Sequence, residues 1–240
     1  MRVSEWLPWY KEIASTFGFS KFLDQQATFI LSTLAKDCVL PVTALEEVFS
    51  EKTTVVYGAG PSLPRNVDAL IERGLTGDRV NVAADGATTL LLERGIMPDV
   101  IVTDLDGSLD SILHCGDEGS IVVIHAHGDN IDVLTRNVPR MRDFRLFATT
   151  QVKPTSVSYN FGGFTDGDRG VFLAEAMKAR EVWLVGMDFG GILGRYSKPH
   201  LKRDTPAGPV KKKKLEFASR LVSYLSKHSR VKIRNLTHRA

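Results

Sequence analysis

The chain has 240 residues, 43% hydrophobic and 25% charged, enough for one large or two small domains with a buried core. Its net charge of +3 is well below that of a dedicated nucleic-acid binder, so no nucleic-acid partner is expected. Cys38 and Cys115 show no paired spacing, and no apolar run nears the roughly 20 residues of a membrane helix; a disulfide scaffold, a zinc site, secretion and membrane insertion give way to a reducing, cytoplasmic setting.

Residues 1–50 read as a helical segment. Asp24 can cap a helix running to about residue 36, and Thr43 with Glu46 makes a capping box ahead of Leu45, Val48 and Phe49. Residues 51–240 read as one α/β domain in which strands alternate with helices. Strands are predicted at 53–57, 80–84, 100–103, 121–125, 145–148, 182–186 and 231–234, from short β-branched runs bounded by turn residues. Helices are predicted at 64–73, 88–94, 130–138, 170–180 and 210–228. The expected fold is α/β, a mostly parallel Rossmann-like sheet with helices on both faces, preceded by the helical N-terminal segment. Residues 188–209 carry no regular pattern and are rich in Gly and Pro, long enough for a lid or binding loop.

The polar residues gather at predicted strand ends. Gly58, Gly60 and Ser62 follow the first strand and open a helix, so backbone N–H groups there can cradle phosphate; a plain tight turn needs the same glycines. Asp85 follows the second strand, and Asp104 and Asp106 follow the third. Open parallel sheets bind ligands outside these carboxyl ends, and clustered carboxylates suit magnesium carrying substrate phosphates. An Asp-Gly turn accounts equally well for one of the pair Asp104 and Asp106.

His125 and His127 end the fourth strand, where imidazole can hydrogen-bond phosphate or pack as a buried pair, and Asp129 can cap the next helix. Thr165, Asp166 and Asp168 open a later helix; capping needs one of them, and the surplus acids beside Arg169 suit a ligand loop. Lys211, Lys212, Lys213 and Lys214 start the last helix, where the macrodipole disfavours each exposed cation by about 0.3–1 kcal/mol and an anion would offset it. A solvated basic face is the alternative.

Taken together, Gly58-Ala59-Gly60-Pro61-Ser62, Asp85-Gly86-Ala87, Thr103-Asp104-Leu105-Asp106-Gly107, His125-Ala126-His127-Gly128-Asp129-Asn130 and Phe164-Thr165-Asp166-Gly167-Asp168-Arg169 resemble the archaeal 6-hydroxymethyl-7,8-dihydropterin pyrophosphokinase family across about residues 53–189. That family is in turn similar to thiamin pyrophosphokinase, from which this chain departs at Gly107, where the relative has serine, and before Thr165, where a lysine is missing.

The resemblance implies transfer of diphosphate from ATP to the hydroxymethyl group of a reduced pterin, on the way to folate or tetrahydromethanopterin, with magnesium as cofactor. It implies catalytic roles for Asp104, Asp106 and Asp168, and metal ligation by Asp85, Asp104, Asp106 and Asp166. Gly58, Gly60, Ser62, His127, Lys211 and Lys212 would bind the nucleotide, and Asn160, Phe164 and Asp188 the pterin, with Gln151, Phe161 and Phe189 as neighbouring candidates. A glycosyltransferase-like enzyme using a nucleotide sugar and a non-catalytic nucleotide-binding module are the competing readings. The oligomeric state is left open, a homo-oligomer included.

Overall fold

A computed structural model describes residues 1–237. Three helices come first, α1 (Val3–Phe17), α2 (Lys21–Ala35) and α3 (Val42–Phe49). Trp6, Tyr10 and Ile13 share one buried face of α1, which ends where Gly18 turns left-handed at φ 71°.

Both caps predicted in this segment are corrected. Ser20 rather than Asp24 caps α2, its hydroxyl accepting the Leu23 N–H at 3.3 Å. Asp24 lies inside the helix, buried, and accepts the Tyr10 hydroxyl (2.6 Å), the Gly128 N–H (2.7 Å) and Gln151 Nε2 (2.8 Å). Long-range donors thus compete successfully for a carboxylate that local spacing assigned to a cap. The Thr43 and Glu46 capping box does not form either: α3 starts after Pro41, and Glu46 pairs with Lys178.

From there strands and helices alternate: β1 (Thr53–Tyr57), α4 (Leu63–Glu72), β2 (Val80–Ala84), α5 (Ala87–Glu93), β3 (Val100–Thr103), α6 (Leu109–Asp117), β4 (Ile121–Ala126), α7 (Ile131–Asn137), β5 (Arg145–Thr150), α8 (Asp166–Ala176) and β6 (Glu181–Val185). A small hairpin, β7 (Ile192–Leu193) and β8 (Thr205–Pro206), then precedes α9 (Pro209–His228) and β9 (Lys232–Asn235). The sequence reading lacked α6, whose Asp110, Ser111, Gly116 and Asp117 are weak helix formers. Residues 188–209, expected to be irregular, hold the hairpin and one 3-10 turn, Arg195–Ser197.

Among the described residues, the main sheet runs β5-β4-β3-β2-β1-β6-β9, every pairing parallel. Its central strands are buried on both faces, which is why they read as unbroken apolar runs. Alternate residues divide between two cores. Val55, Tyr57, Ala83 and Ile101 meet α2, α4 and α5, while Val56, Val82 and Val102 meet α1, α3, α8 and α9. The N-terminal helices therefore share both cores with the sheet. Strand order reverses between β1 and β6, which opens a crevice at their carboxyl ends. Among the described residues no helix is long and apolar enough to cross a membrane.

Candidate active site

The carboxyl ends of the central strands open into a cavity of about 300 Å³. Asp85 follows β2, and Asp104 and Asp106 follow β3; one oxygen from each lies within 4.8 Å of the others. The backbone is bent to bring them together, with Asp85 at φ 43° and Leu105 at φ 66°. Thr103 locks the bend: its hydroxyl donates to Asp85 Oδ1 (2.6 Å) and accepts the Leu105 N–H (2.8 Å). Gly107 completes it, because a methyl group there would run into the Asp85 carboxylate. An all-oxygen donor set of this kind fits a hard divalent cation.

The carboxylates are not electrically alike. Burial, then the charges of Asp166 and Asp104, push Asp85 well above the usual carboxyl range. Burial also acts upward on Asp104, but the hydrogen bonds from His127 and from the Asp106 N–H, with the nearby Arg169 charge, outweigh it and hold this carboxyl far below that range. Nδ1 of His127 accepts the Asp129 N–H at 3.2 Å, which leaves the Nε2 proton to donate to Asp104 Oδ2 at 3.2 Å. Asp166 is pushed up to about 7, by burial first and the Asp104 charge second.

Asp166 lines the cavity, yet it is not among the three converging carboxylates and pairs instead with Arg169 Nη1 at 3.2 Å. Asp168 has no oxygen to spare for chemistry. Oδ2 accepts the Phe164 N–H (2.6 Å), and Oδ1 accepts the Thr165 N–H (2.7 Å) and hydroxyl, as the capping box of α8.

The glycine loop is likewise occupied. Gly58 and Gly60 line the cavity, but their N–H groups donate to Val185 O (2.8 Å) and Gly186 O (2.9 Å), so the glycines serve the close approach of the β1 and β6 ends. Ser62 donates its N–H (3.3 Å) and hydroxyl (2.8 Å) to Asp188 Oδ2. Asp188 is therefore spent at the N-terminus of α4, where phosphate was expected, although it too lines the cavity.

Of the residues expected to touch pterin, Phe164 lines the cavity beside Phe19, their ring centroids 6.2 Å apart. Asn160 does not: it donates to Val152 O (2.9 Å), accepts the Gly162 N–H (3.0 Å) and braces its own loop. Phe161 stacks with Tyr159 and Phe147. His125 is buried with Nδ1 3.1 Å from Thr149 Oγ1, and burial, then the Arg169 charge, drives its pKa well below the usual imidazole value. Asp129 does not cap α7: Asn130 holds the N-cap position, and His127 caps the short 3-10 turn Gly128–Asn130 before it. Lys211 and Lys214, one turn apart, face the cavity, whereas exposed Lys212 packs toward Gly191.

Several lining residues escaped the sequence reading. Lys198, inside the 188–209 segment, pairs with Asp106 across the cavity mouth, and Tyr196 of the same segment donates to Glu93. Gly86 packs against the Tyr196 carbonyl and Gly194 against Ala59 and Gly60, so this segment lies over the strand ends as a lid. Phe19, from the turn between α1 and α2, and Asp24 of α2 also reach the cavity. No local pattern marks such residues, because distant segments bring them in.

Residues 31–192 match the family described as 6-hydroxymethylpterin diphosphokinase MptE-like. The chain belongs to this family. It is 43% identical over 235 residues to the 6-hydroxymethyl-7,8-dihydropterin pyrophosphokinase of Methanothermobacter thermautotrophicus, covering 97% of this chain and 99% of the relative. The enzyme of the same name from Pyrococcus furiosus is 43% identical over 236 residues, covering 97% and 98%, and that of Methanocaldococcus jannaschii 39% over 233 residues, covering 94% and 96%.

Among solved structures, the MAf glycosyltransferase of Magnetospirillum magneticum AMB-1 superposes with a TM-score of 0.51 at 15% identity, over 80% of this chain and 34% of its own. This likeness is one of fold. Within this MptE-like chain, the acid cluster lies inside the matched residues, whereas Phe19, Asp24, Lys198, Lys211 and Lys214 lie outside them.

Proposed function

We propose that the protein transfers diphosphate from ATP to the hydroxymethyl group of 6-hydroxymethyl-7,8-dihydropterin, releasing AMP and the pterin diphosphate, with magnesium as cofactor. The observation that carries this reading is the convergence of Asp85, Asp104 and Asp106 within 4.8 Å in the cavity of a chain 43% identical to enzymes of that name. These carboxylates would hold the metal, which supplies positive charge to the phosphate oxygens when bound. Cytoplasmic work in the synthesis of folate or tetrahydromethanopterin fits the free cysteines Cys38 and Cys115.

The acceptor oxygen forms a bond to the β-phosphorus, and the oxygen bridging the α- and β-phosphorus atoms departs with AMP. Asp166, raised to about 7 by burial and by Asp104, has the basicity to take the hydroxyl proton near neutral pH. His127 keeps Asp104 ionised beside it. Phe19 and Phe164 give a flat heterocycle an aromatic wall, and Gln151, whose Oε1 holds only a long 3.4 Å contact from Arg169, lines the same cavity with an acceptor for its amino edge. Lys198 and the rest of the lid close the mouth and exclude water.

The deciding experiment incubates the purified protein with ATP, magnesium and hydroxymethyldihydropterin and identifies the nucleotide product. AMP formed in step with pterin diphosphate, and abolished by a chelator, is expected. Formation of ADP, or no pterin-dependent turnover, would overturn the reading.

A further inference from the structure

Arg169, Lys211 and Lys214 line the same cavity as the acid cluster, yet of these three cations only Arg169 has a carboxylate partner within 4.0 Å among the described residues. Arg169 is 8% exposed; it donates to Asp166 (3.2 Å) and to Gln151 Oε1 at a long 3.4 Å, and its Nε has no hydrogen-bond partner among the described residues. Lys211 and Lys214 form no ion pair within 4.0 Å among the described residues.

Both lysines sit near the start of α9, where the dipole already presents positive charge. Lys214 is half-buried, its ammonium 5.5 Å from the Phe19 ring centroid and 5.8 Å from that of Phe164. Burial, followed by the charges of Lys211 and Arg169, lowers its pKa. A partly dry cavity wall of mutually repelling cations is costly in the empty protein, and a polyanion reverses the sign of that cost.

We propose that Arg169, Lys211 and Lys214 form a diphosphate subsite that grips the two phosphates being transferred and not the AMP that departs. Lys214 touches the aromatic rings assigned above to the acceptor, so a group held by this wall lies beside the pterin to which it moves. The adenosine end is left to the crevice between β1 and β6. The carboxyl ends of β1 and β5 are four strand spacings apart, about 19 Å, which gives the two substrates separate berths with the acid cluster of β2 and β3 between them. The assignment of diphosphate as the moving group rests on the reaction proposed above.

The test measures calorimetric binding of magnesium with inorganic pyrophosphate, and separately of AMP, to the wild type and to Lys211→Met, Lys214→Met and Arg169→Lys. Each substitution should weaken pyrophosphate by about tenfold or more and leave AMP within about twofold. Lys214→Met keeps the stem that packs on the rings, and Lys214→Arg should restore binding, so loss of charge is separable from loss of fold.

Equal losses for AMP and pyrophosphate would overturn the division of the nucleotide. Unchanged pyrophosphate binding in all variants, or none in the wild type, would overturn the subsite. A wild type that binds pyrophosphate in this lysine-dependent way but forms no AMP from ATP and the pterin would sink the reaction and leave the anion subsite standing.

Discussion

His127 Nε2 stands 3.2 Å from Asp104 Oδ2, and through this contact one carboxyl of the site stays ionised while its neighbours Asp85 and Asp166 are driven toward protonation. Carboxylates this close cannot all carry charge cheaply in a buried place. A divalent cation removes that conflict, so the arrangement is strained when empty and relaxed when loaded.

Removing one charged oxygen should therefore cost activity more than stability. Asp104→Asn and Asp106→Asn are each expected to lower turnover by about 100-fold or more, the scale of losing a preorganised electrostatic group, with melting temperatures within a few degrees of wild type. Steady-state kinetics over a magnesium titration, beside thermal melts, checks this; full activity at limiting magnesium in both variants would remove the pair from the metal site.

The proton on Asp166 sets a pH dependence of known sign. Its carboxyl is 3.8 when unperturbed and about 7 in the fold, so between those values the native state binds the proton that the unfolded chain has released. The stability it contributes is present below 3.8 and is lost as pH rises through about 7. In metal-free protein, the melting temperature of the wild type minus that of Asp166→Asn should fall from about pH 4 to about pH 8. A difference that is flat or rises with pH would contradict the burial of this group.

The lid should respond to ligand. Lys198 ties it to Asp106, and the phosphates of a bound nucleotide would give this ammonium a further anionic partner beneath the lid. Trypsin cleavage after Arg195, Lys202 or Arg203 should slow when ATP and magnesium are bound. Lys198→Ala should cleave faster than wild type without ligand. Identical digestion with and without saturating nucleotide would show that residues 188–209 do not close.

Asp168 should behave as a structural residue. Asp168→Ala leaves the Phe164 and Thr165 N–H groups unpartnered at the start of α8, a loss of about 1–3 kcal/mol for buried groups of this kind. Urea denaturation should show that loss in the free protein. A variant as stable as wild type but inactive would restore Asp168 to the chemistry.

The succession of strands and helices, and the parallel sheet they build, were legible in the sequence because burial on both faces leaves long apolar runs with turn residues between them. So was the site's location, since the acids fall at strand ends, where parallel sheets leave their crevice. The resemblance to the pterin enzymes was likewise carried by residues adjacent in the chain, such as Thr103-Asp104-Leu105-Asp106-Gly107.

Only the tertiary structure decided which polar side chains face that crevice and which are consumed by the backbone. Asp168 and Asn160 look as available in sequence as Asp104, yet both satisfy loop N–H or carbonyl groups. Asp24 loses its capping role to donors 104 and 127 residues away, and Lys198 meets Asp106 across 92 residues of chain. A side chain's role is set by the partners that folding brings to it, and a buried carboxylate takes the strongest donors in reach whatever their place in the sequence.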